Sequence, residues 1–274
     1  MSKNLSTFDI GMEYQSLSKT KAKELKTLTL KKERDRQRMF IAEGEKCVLD
    51  SLFTFNPQFI IASSNWIEDH RDLLRAFGDK VLTADHRTRE ILTSLNTVPE
   101  VIGILKMEDV DPGIPKLSPH KLYVLLDEVQ DPGNLGTIIR TCDWFGIYDV
   151  FASKNSVDVF NPKVVQATMG SLARVEVRYV DLKELISHNT EIKVIGTVLN
   201  GKPLPEAGLE EKGFILLGNE GRGISSSLLE LIDIPVTIPA THKENCPDSL
   251  NVAVANAIIL SSIILKPVSQ KPTK

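Results

Sequence analysis

The stretch at residues 122–147, LYVLLDEVQDPGNLGTIIRTCDWFGI, decides the fold of this chain. It opens with an apolar run, residues 122–126, which predicts a buried strand. The turn Asp131-Pro132-Gly133-Asn134 follows, and Asn134 is predicted to cap the next helix. One face of that helix carries three apolar residues, Ile138, Cys142 and Phe145. A strand, a turn and a helix in this order predict an α/β fold, with a site where the loop leaves the strand.

Arg140 stands out on the predicted helix. It lies about 200° round the helix from Ile138, so its side chain points away from the apolar face. An arginine in this position is either a surface charge or a catalytic group beside the turn. The pattern of this one segment leaves both interpretations open.

Two later segments change the weight of these interpretations. Residues 215–224, ILLGNEGRGI, predict a strand that runs into a glycine-rich turn carrying Glu220. Residues 248–258, DSLNVAVANAI, predict polar capping residues followed by a helix of small apolar residues. In order and spacing, the three segments resemble the motifs of the SpoU-type (TrmH-like) SPOUT RNA 2'-O-ribose methyltransferases. The resemblance covers residues 120–265, and three ordered motifs are far more specific than one glycine-rich turn.

The resemblance implies a fold, a cofactor and a reaction. The fold would be an α/β SPOUT domain with a mainly parallel sheet and a deep trefoil knot. The cofactor would be S-adenosylmethionine, whose methyl group passes to a ribose 2'-hydroxyl. The positions that match the family's catalytic residues are Arg140, Asn134, Glu220, Ser249 and Asn251. The positions that match its cofactor-binding residues are Thr197, Gly218, Ile238 and Leu250.

Each of these assignments has a structural alternative. Arginine stays protonated in proteins, so Arg140 would stabilise the forming alkoxide rather than remove its proton. Asn134 and Ser249 could be helix caps, and Glu220 could be a solvated turn residue. A glycine at 218 would let the backbone approach a ligand. The other three cofactor positions would be ordinary core residues under any other interpretation.

Composition sets further limits. The chain has 274 residues and a net charge of −3, so RNA contact would depend on local basic patches. Its three cysteines and five histidines show no metal-ligand spacing, which predicts no metal site and a reduced, cytoplasmic protein. The polar start predicts no signal peptide, and the apolar runs are too short for a membrane span.

The chain is predicted to form two domains. Residues 1–108 alternate short strands and helices, which predicts a small α/β domain; the family resemblance implies that this domain binds RNA. Residues 109–120 are rich in proline and predict a linker, and residues 121–274 form the methyltransferase domain. Residues 19–38 carry nine Lys or Arg against three Asp or Glu. This basic segment is either a solvated helix surface or an arm that contacts RNA phosphates.

The predicted function is S-adenosylmethionine-dependent methylation of a ribose 2'-hydroxyl in structured tRNA or rRNA, by an enzyme that forms a homodimer. The alternative is an RNA-binding or ribosome-assembly protein that keeps the fold without catalysis. This alternative rests on the loop at 240–248. The loop is about three residues longer than the family pattern and lacks the usual glycine. Ala253 also replaces a common serine. A dinucleotide-binding oxidoreductase is excluded because no G-x-G-x-x-G follows an early strand.

Overall fold

Two β-sheets with flanking helices make up the computed structural model, which describes residues 14–108, 113–240 and 249–265. Predictions for residues 1–13, for part of the linker and for most of the loop at 240–248 lie outside these ranges. Among the described residues, no helix has the length and apolar character needed to cross a membrane.

The N-terminal unit, residues 14–108, contains a five-stranded sheet in the order β1-β4-β3-β5-β2. Its strands are β1 Gln15–Ser16, β2 Met39–Glu43, β3 Pro57–Ala62, β4 Val81–Thr83 and β5 Val101–Lys106. Its helices are α1 Lys19–Lys26, α2 Lys31–Gln37, α3 Glu45–Ser51, α4 Ser64–Asp69, α5 Arg71–Leu74 and α6 His86–Leu92. Strand β5 is antiparallel to both of its neighbours, β3 and β2.

The C-terminal unit, residues 113–265, contains a six-stranded sheet in the order β11-β9-β10-β6-β7-β8. Its strands are β6 Leu122–Leu126, β7 Asp149–Ser153, β8 Glu176–Val180, β9 Val194–Pro203, β10 Gly213–Leu217 and β11 Ile234–Thr237. Its helices are α7 Pro132–Trp144, α8 Pro162–Thr168, α9 Leu182–His188, α10 Ser226–Leu229 and α11 Val252–Ile264. All neighbouring pairs in this sheet are parallel, as predicted.

Strand β6 shows how the sequence builds this sheet. Alternate residues point to opposite faces, and both faces are buried. Val124 and Leu126 pack with α7 and α11 on one face, whereas Tyr123 and Leu125 pack with α9 on the other. Because the sheet is parallel, the loops after β6, β7, β9 and β10 all leave from one edge, the carboxyl edge, where a site is expected.

Helices α7 and α8 pack closely on one face of the sheet because Gly136 has no side chain. A Cβ at this position would lie 2.4 Å from the Ala167 Cβ and 2.9 Å from the Val164 carbonyl oxygen. The second glycine of the DPGNLG segment therefore serves packing between helices.

Two predicted elements differ from the structure. The sequence pattern at 67–77 predicts a single helix, but the chain forms α4 and α5, with a break at His70, whose ring stacks on Trp66. The apolar run at 192–199 predicts a strand that ends at Leu199, but β9 continues to Pro203. Its pairing with β11 shifts register between Gly196 and Lys202, so residues 197–201 bulge outward at the carboxyl edge.

The two units share one hydrophobic core. The Phe160 ring of the C-terminal unit lies 4.7 Å from the Phe40 ring and 6.2 Å from the Phe55 ring, centroid to centroid. The described part of the linker is also attached, because the Asn189 side chain accepts from the Leu117 amide and donates to the Pro115 carbonyl. The N-terminal unit is thus packed against α8 and the loop before it, within the unit that carries the predicted site.

Candidate active site

Helix α7 starts one turn earlier than predicted. Asp131 is its N-cap, and its carboxylate accepts from the Asn134 amide at 2.8 Å. Pro132 occupies the first helical position, where the missing N–H costs nothing. The prediction that Asn134 caps this helix is therefore wrong, and the Asn134 side chain is available for other partners.

A chain of side-chain hydrogen bonds joins three distant segments at the carboxyl edge. The Asn251 Nδ2 donates to the Asn134 Oδ1 at 2.8 Å. The Asn134 Nδ2 in turn donates to the Glu220 Oε1 at 2.9 Å. The structure thus brings together one predicted residue from each of the three motifs. We call this set the amide–carboxylate cluster.

Glu220 is held as a carboxylate. It accepts from the backbone amides of Gln130 at 3.4 Å and Asp131 at 3.3 Å, in addition to Asn134. Partial burial raises the pKa of Glu220, but the hydrogen bonds from Asn134 and the backbone outweigh this effect and leave its pKa below the usual value. The interpretation of Glu220 as a solvated turn residue does not account for these contacts.

Asn219 shapes the turn that presents Glu220. Its Nδ2 donates to the Glu128 carbonyl at 2.7 Å, and its Oδ1 accepts from the amides of Gly221 and Arg222, both at 3.0 Å. The turn folds back tightly on the end of β10. A Cβ at Gly218 would lie 2.3 Å from backbone atoms of Gly223 and Ile224. The turn itself therefore requires glycine at this position.

Asn251 has two functions at the start of α11. Its Oδ1 caps the helix by accepting from the Ala253 amide at 2.9 Å and the Val254 amide at 3.2 Å, while its Nδ2 binds Asn134. The cap of α11 is therefore Asn251, and the alternative interpretation of Ser249 as a helix cap is wrong. Ser249 is exposed, two residues before the helix cap.

Arg140 lies apart from the cluster in this chain. It is exposed on α7, and its side chain has no hydrogen bond or ion pair to any residue that the structure describes. It follows Asn134 by six residues, which places it about 9 Å along the helix and about 240° round it. Trp144, one turn further on, is 85% exposed. Arg140 and Trp144 thus form part of one open helix face.

The residues matched to cofactor binding lie at the same edge of the sheet. Thr197 is at the start of the β9 bulge, and its hydroxyl donates to the Leu216 carbonyl at 3.2 Å. Gly218 follows β10, and Ile238 follows β11. Leu250 precedes Asn251 and is 51% exposed, and Leu199 in the bulge is 74% exposed. Exposed apolar side chains beside backbone amides and carbonyls suit a ligand with an apolar ring and polar ends.

Three residues that were not predicted hold the loops of the site in place: Asp131, Asn219 and Glu128. Asp131 could have been found, since an Asp before Pro is a strong helix-start signal. Glu128 could not, because its function depends on tertiary contacts. Its backbone has a left-handed φ of 55°, and its carboxylate accepts from Asn155 at 2.9 Å and from Arg222 at 2.5 Å. Glu128 thereby joins the loops after β6, β7 and β10.

Comparison with known proteins gives consistent matches. The model of the SpoU rRNA Methylase family matches residues 121–261. A 23S rRNA (guanosine(2553)-2'-O)-methyltransferase of Bacillus subtilis is 32% identical over 255 residues, covering 90% of this chain and 97% of that protein. A 23S rRNA (uridine(2479)-2'-O)-methyltransferase of Streptomyces viridochromogenes is 28% identical, covering 73% of this chain and 72% of that protein.

Solved structures agree in fold over most of the chain. A TrmH-family RNA methyltransferase from Porphyromonas gingivalis is 35% identical with a TM-score of 0.76, covering 90% of this chain and 97% of that one. An AdoMet-bound rRNA methyltransferase from Sinorhizobium meliloti is 30% identical with a TM-score of 0.79, covering 90% and 95%. Both comparisons include the N-terminal unit as well as the sheet that carries the cluster.

Proposed function

Because this chain belongs to the SpoU rRNA methylase family, we propose that it methylates a ribose 2'-hydroxyl of 23S ribosomal RNA at the amide–carboxylate cluster. The protein is an S-adenosylmethionine-dependent RNA 2'-O-methyltransferase, as its family and its relatives indicate. The choice of 23S rRNA rests on the relatives, three of which carry that substrate in their names. The observation that supports the site is the hydrogen-bond chain through Asn251, Asn134 and Glu220.

The cluster offers donors to a ribose. Each amide nitrogen has two N–H groups, and Asn134 and Asn251 each use one of them within the cluster. The remaining N–H groups can orient the sugar hydroxyls. Glu220 already accepts three hydrogen bonds and has a lowered pKa, so it is a weak base. We therefore assign Glu220 to positioning Asn134.

Arg140 is assigned to the reacting oxygen. Because it lies apart from the cluster of its own chain, we propose that it acts at the cluster of a second copy. When bound, S-adenosylmethionine supplies a methyl group that its sulfonium makes electrophilic. The 2'-oxygen must then gain negative charge, and a guanidinium that stays protonated stabilises this charge through its N–H donors. Ser249 would add a hydroxyl near Asn251. The cofactor would be held by Thr197 in the β9 bulge, Gly218 after β10, Ile238 after β11 and Leu250 before α11.

The oligomeric state is part of the proposal. Helices α7 and α11 pack together and present exposed apolar side chains, Trp144, Val254, Ile258 and Leu265. We propose that a second copy covers this face to give a homodimer, with Arg140 at the interface one turn before Trp144. Light scattering should give twice the chain mass for the native protein and the single chain mass for Trp144→Ala/Ile258→Ser. A native monomer would contradict this part.

We also propose a separate function for each unit. Residues 1–108 would form an RNA-binding domain, residues 109–120 a linker and residues 121–274 the methyltransferase domain with its knotted chain. Two relatives that span most of this chain are bacterial 23S rRNA enzymes, and we propose that this enzyme likewise acts in the cytoplasm. The fit of the N-terminal unit within structures of rRNA methyltransferases supports this organisation.

Nucleoside mass spectrometry of 23S rRNA tests the function. Cells that lack the gene should lose one 2'-O-methylated nucleoside, which the intact gene restores. Arg140→Ala should fail to restore it, because loss of one charge-stabilising donor lowers kcat by about 10²–10³. Thr141→Ala is the matched control on the same helix, since its hydroxyl donates only to the Thr137 carbonyl. An unchanged set of methylated nucleosides in 23S rRNA would overturn the choice of substrate.

A further inference from the structure

Arg34 of α2 is buried at the junction of the two units, with its side chain only 2% exposed. Its Nε and Nη2 donate to the Asp158 Oδ2 at 3.1 and 2.5 Å. Its Nη1 donates to the carbonyls of Leu28 at 3.0 Å and Thr29 at 2.9 Å. A buried guanidinium with these acceptors fixes both the start of α2 and its position against the C-terminal unit.

The loop that carries Asp158 is itself rigidly held. The Asp158 Oδ1 accepts from the Phe160 amide at 3.0 Å. The Tyr179 hydroxyl accepts from the Val159 amide at 2.8 Å and donates to the Val157 carbonyl at 2.5 Å. The residues on both sides of Asp158 are therefore attached to one point on β8.

This loop also contacts the segment that holds Glu220. The Val157 amide donates to the Val129 carbonyl at 2.9 Å. The next two amides after Val129, those of Gln130 and Asp131, donate to the Glu220 carboxylate. A path of hydrogen bonds and adjoining peptide units therefore leads from α2 of the N-terminal unit to the amide–carboxylate cluster.

Three exposed lysines lie within five residues of Arg34 or Asp158 in the chain. Lys154 and Lys163 are exposed on either side of Asp158 in the chain, and neither has an ion pair with a residue that the structure describes. Lys31 lies three residues before Arg34, about 60° round α2. Its ion pair with Asp35, at 3.4 Å, is exposed and therefore weak. Lysines at such positions suit the phosphates of an RNA backbone.

We propose that Arg34 and Asp158 are a positioning pair that fixes α2 beside the carboxyl edge, so that RNA phosphates bound by Lys31, Lys154 and Lys163 are held in register with the amide–carboxylate cluster. This inference rests on the proposed function for its substrate class. Under this proposal the basic segment at 19–38 contacts RNA, and its position relative to the site depends on how α2 packs against the C-terminal unit. Phosphate contacts of this kind set the position and orientation of the RNA.

Binding measurements test directly whether these lysines contact RNA phosphates. The probe is 23S rRNA purified from a strain that lacks the gene, with Kd measured at several salt concentrations. Lys154→Gln/Lys163→Gln should weaken binding about three- to tenfold per lysine and lower the salt slope by about one per lysine. Lys121→Gln, an exposed lysine at the opposite edge of the sheet, should leave both unchanged. Equal effects of Lys154→Gln/Lys163→Gln and of Lys121→Gln would contradict the proposed contacts of Lys154 and Lys163 with RNA phosphates.

A double-mutant cycle tests the positioning role. An asparagine at 158 cannot accept from both Arg34 and the Phe160 amide, because one of its two polar atoms is a donor. Lys31→Gln should weaken RNA binding about three- to tenfold in the native background and less than twofold when combined with Asp158→Asn. Calorimetric binding of S-adenosylmethionine should be the same in all four proteins. Equal effects of Lys31→Gln in both backgrounds would contradict the proposal.

The outcomes separate this inference from the proposed function. If no nucleoside of 23S rRNA is methylated but the cycle shows coupling, the positioning pair holds and the assigned reaction fails. If methylation occurs but the cycle is additive, the reaction holds and the positioning pair fails. If Asp158→Asn does not fold, the result for Lys154→Gln/Lys163→Gln decides alone, since these lysines lie outside the buried pair.

Discussion

At the scale of single residues, Asn134 shows what a sequence can and cannot predict. Its membership of the site was predicted from the motif, but its local role was not. Capping of α7 falls to Asp131, and the Asn134 side chain turns toward Glu220 and Asn251. Local patterns identify a helix start to within a few residues, whereas a contact across 117 positions depends on the fold.

The protonation of Glu220 leads to a prediction about pH. Because its folded-state pKa is lowered, ionised Glu220 contributes stability above the usual carboxyl pKa of about 4.3. That contribution is lost as pH falls through the lower folded value. Glu220→Gln should therefore lower the melting temperature at pH 7, with a difference from the native protein that shrinks below about pH 4.

Glu220→Gln should also reduce methylation at least about tenfold, since its amide nitrogen would face either the Gln130 amide or the two donors of Asp131 and Asn134. Thermal melts at several pH values and single-turnover rates measure both effects. Glu176→Gln, a change to an exposed carboxylate that pairs with Arg178 on β8, is the control. A melting difference that is constant from pH 3 to 7 would show that Glu220 is not held as an anion.

At the scale of elements, the strands of the C-terminal sheet were predicted well because they are short and apolar on both faces. The apolar runs at 122–126 and 149–153 predict strands with the bounds of β6 and β7, and the pattern of Asp181 and Glu184 predicts the helix start that Asp181 caps in α9. The bulge at 197–201 was not predicted. The sequence of this segment, TVLNG, does not mark a bulge, and only the pairing of β9 with β11 creates it.

The turn after β10 permits a matched pair of substitutions. Gly218→Ala would place a Cβ 2.3 Å from backbone atoms of the same turn, so the turn must open and Glu220 must move. Gly221→Ala meets only the Asn219 Oδ1, at 3.8 Å, and has no left-handed φ. We expect Gly218→Ala to abolish methylation and Gly221→Ala to retain at least about half of it.

Single-turnover methylation of the two folded proteins, with S-adenosylmethionine binding by calorimetry, compares these variants. Equal activity of Gly218→Ala and Gly221→Ala would mean that the turn can open without loss of methylation. A loss in Gly221→Ala alone would place a ligand against that residue instead.

At the scale of the whole molecule, the two predicted domains share a core. The linker at 109–120 was predicted from proline content, and such composition cannot reveal docking on either side of it. Phe40 and Phe55 are hydrophobic residues of a small domain by sequence, and their contact with Phe160 emerges only from the structure. Side chains from α3 and α7 are also joined, since Arg174 pairs with both Asp50 at 3.1 Å and Asp143 at 2.7 Å.

A shared core predicts that the units unfold together. Calorimetry should show one transition, whose van't Hoff and calorimetric enthalpies agree. Phe160→Ala should lower the free energy of unfolding by about 3 kcal/mol and shift the whole transition. Phe53→Ala, at a 75% exposed position, should change it by less than about 0.5 kcal/mol. Two resolved transitions in the native protein would show that the units are independent.

The Arg34–Asp158 pair also has a consequence for biosynthesis. The two residues are 124 positions apart in the chain. At elongation rates of about 5–20 residues per second, roughly 6–25 s pass between translation of the arginine and of its partner. During that interval the Arg34 guanidinium can bond to the carbonyls of Leu28 and Thr29 but lacks the carboxylate of Asp158, so its Nε and Nη2 must stay hydrated. Maturation of this unit therefore waits on the later half of the polypeptide, and a ribosome stalled before Asp158 would hold an incomplete fold.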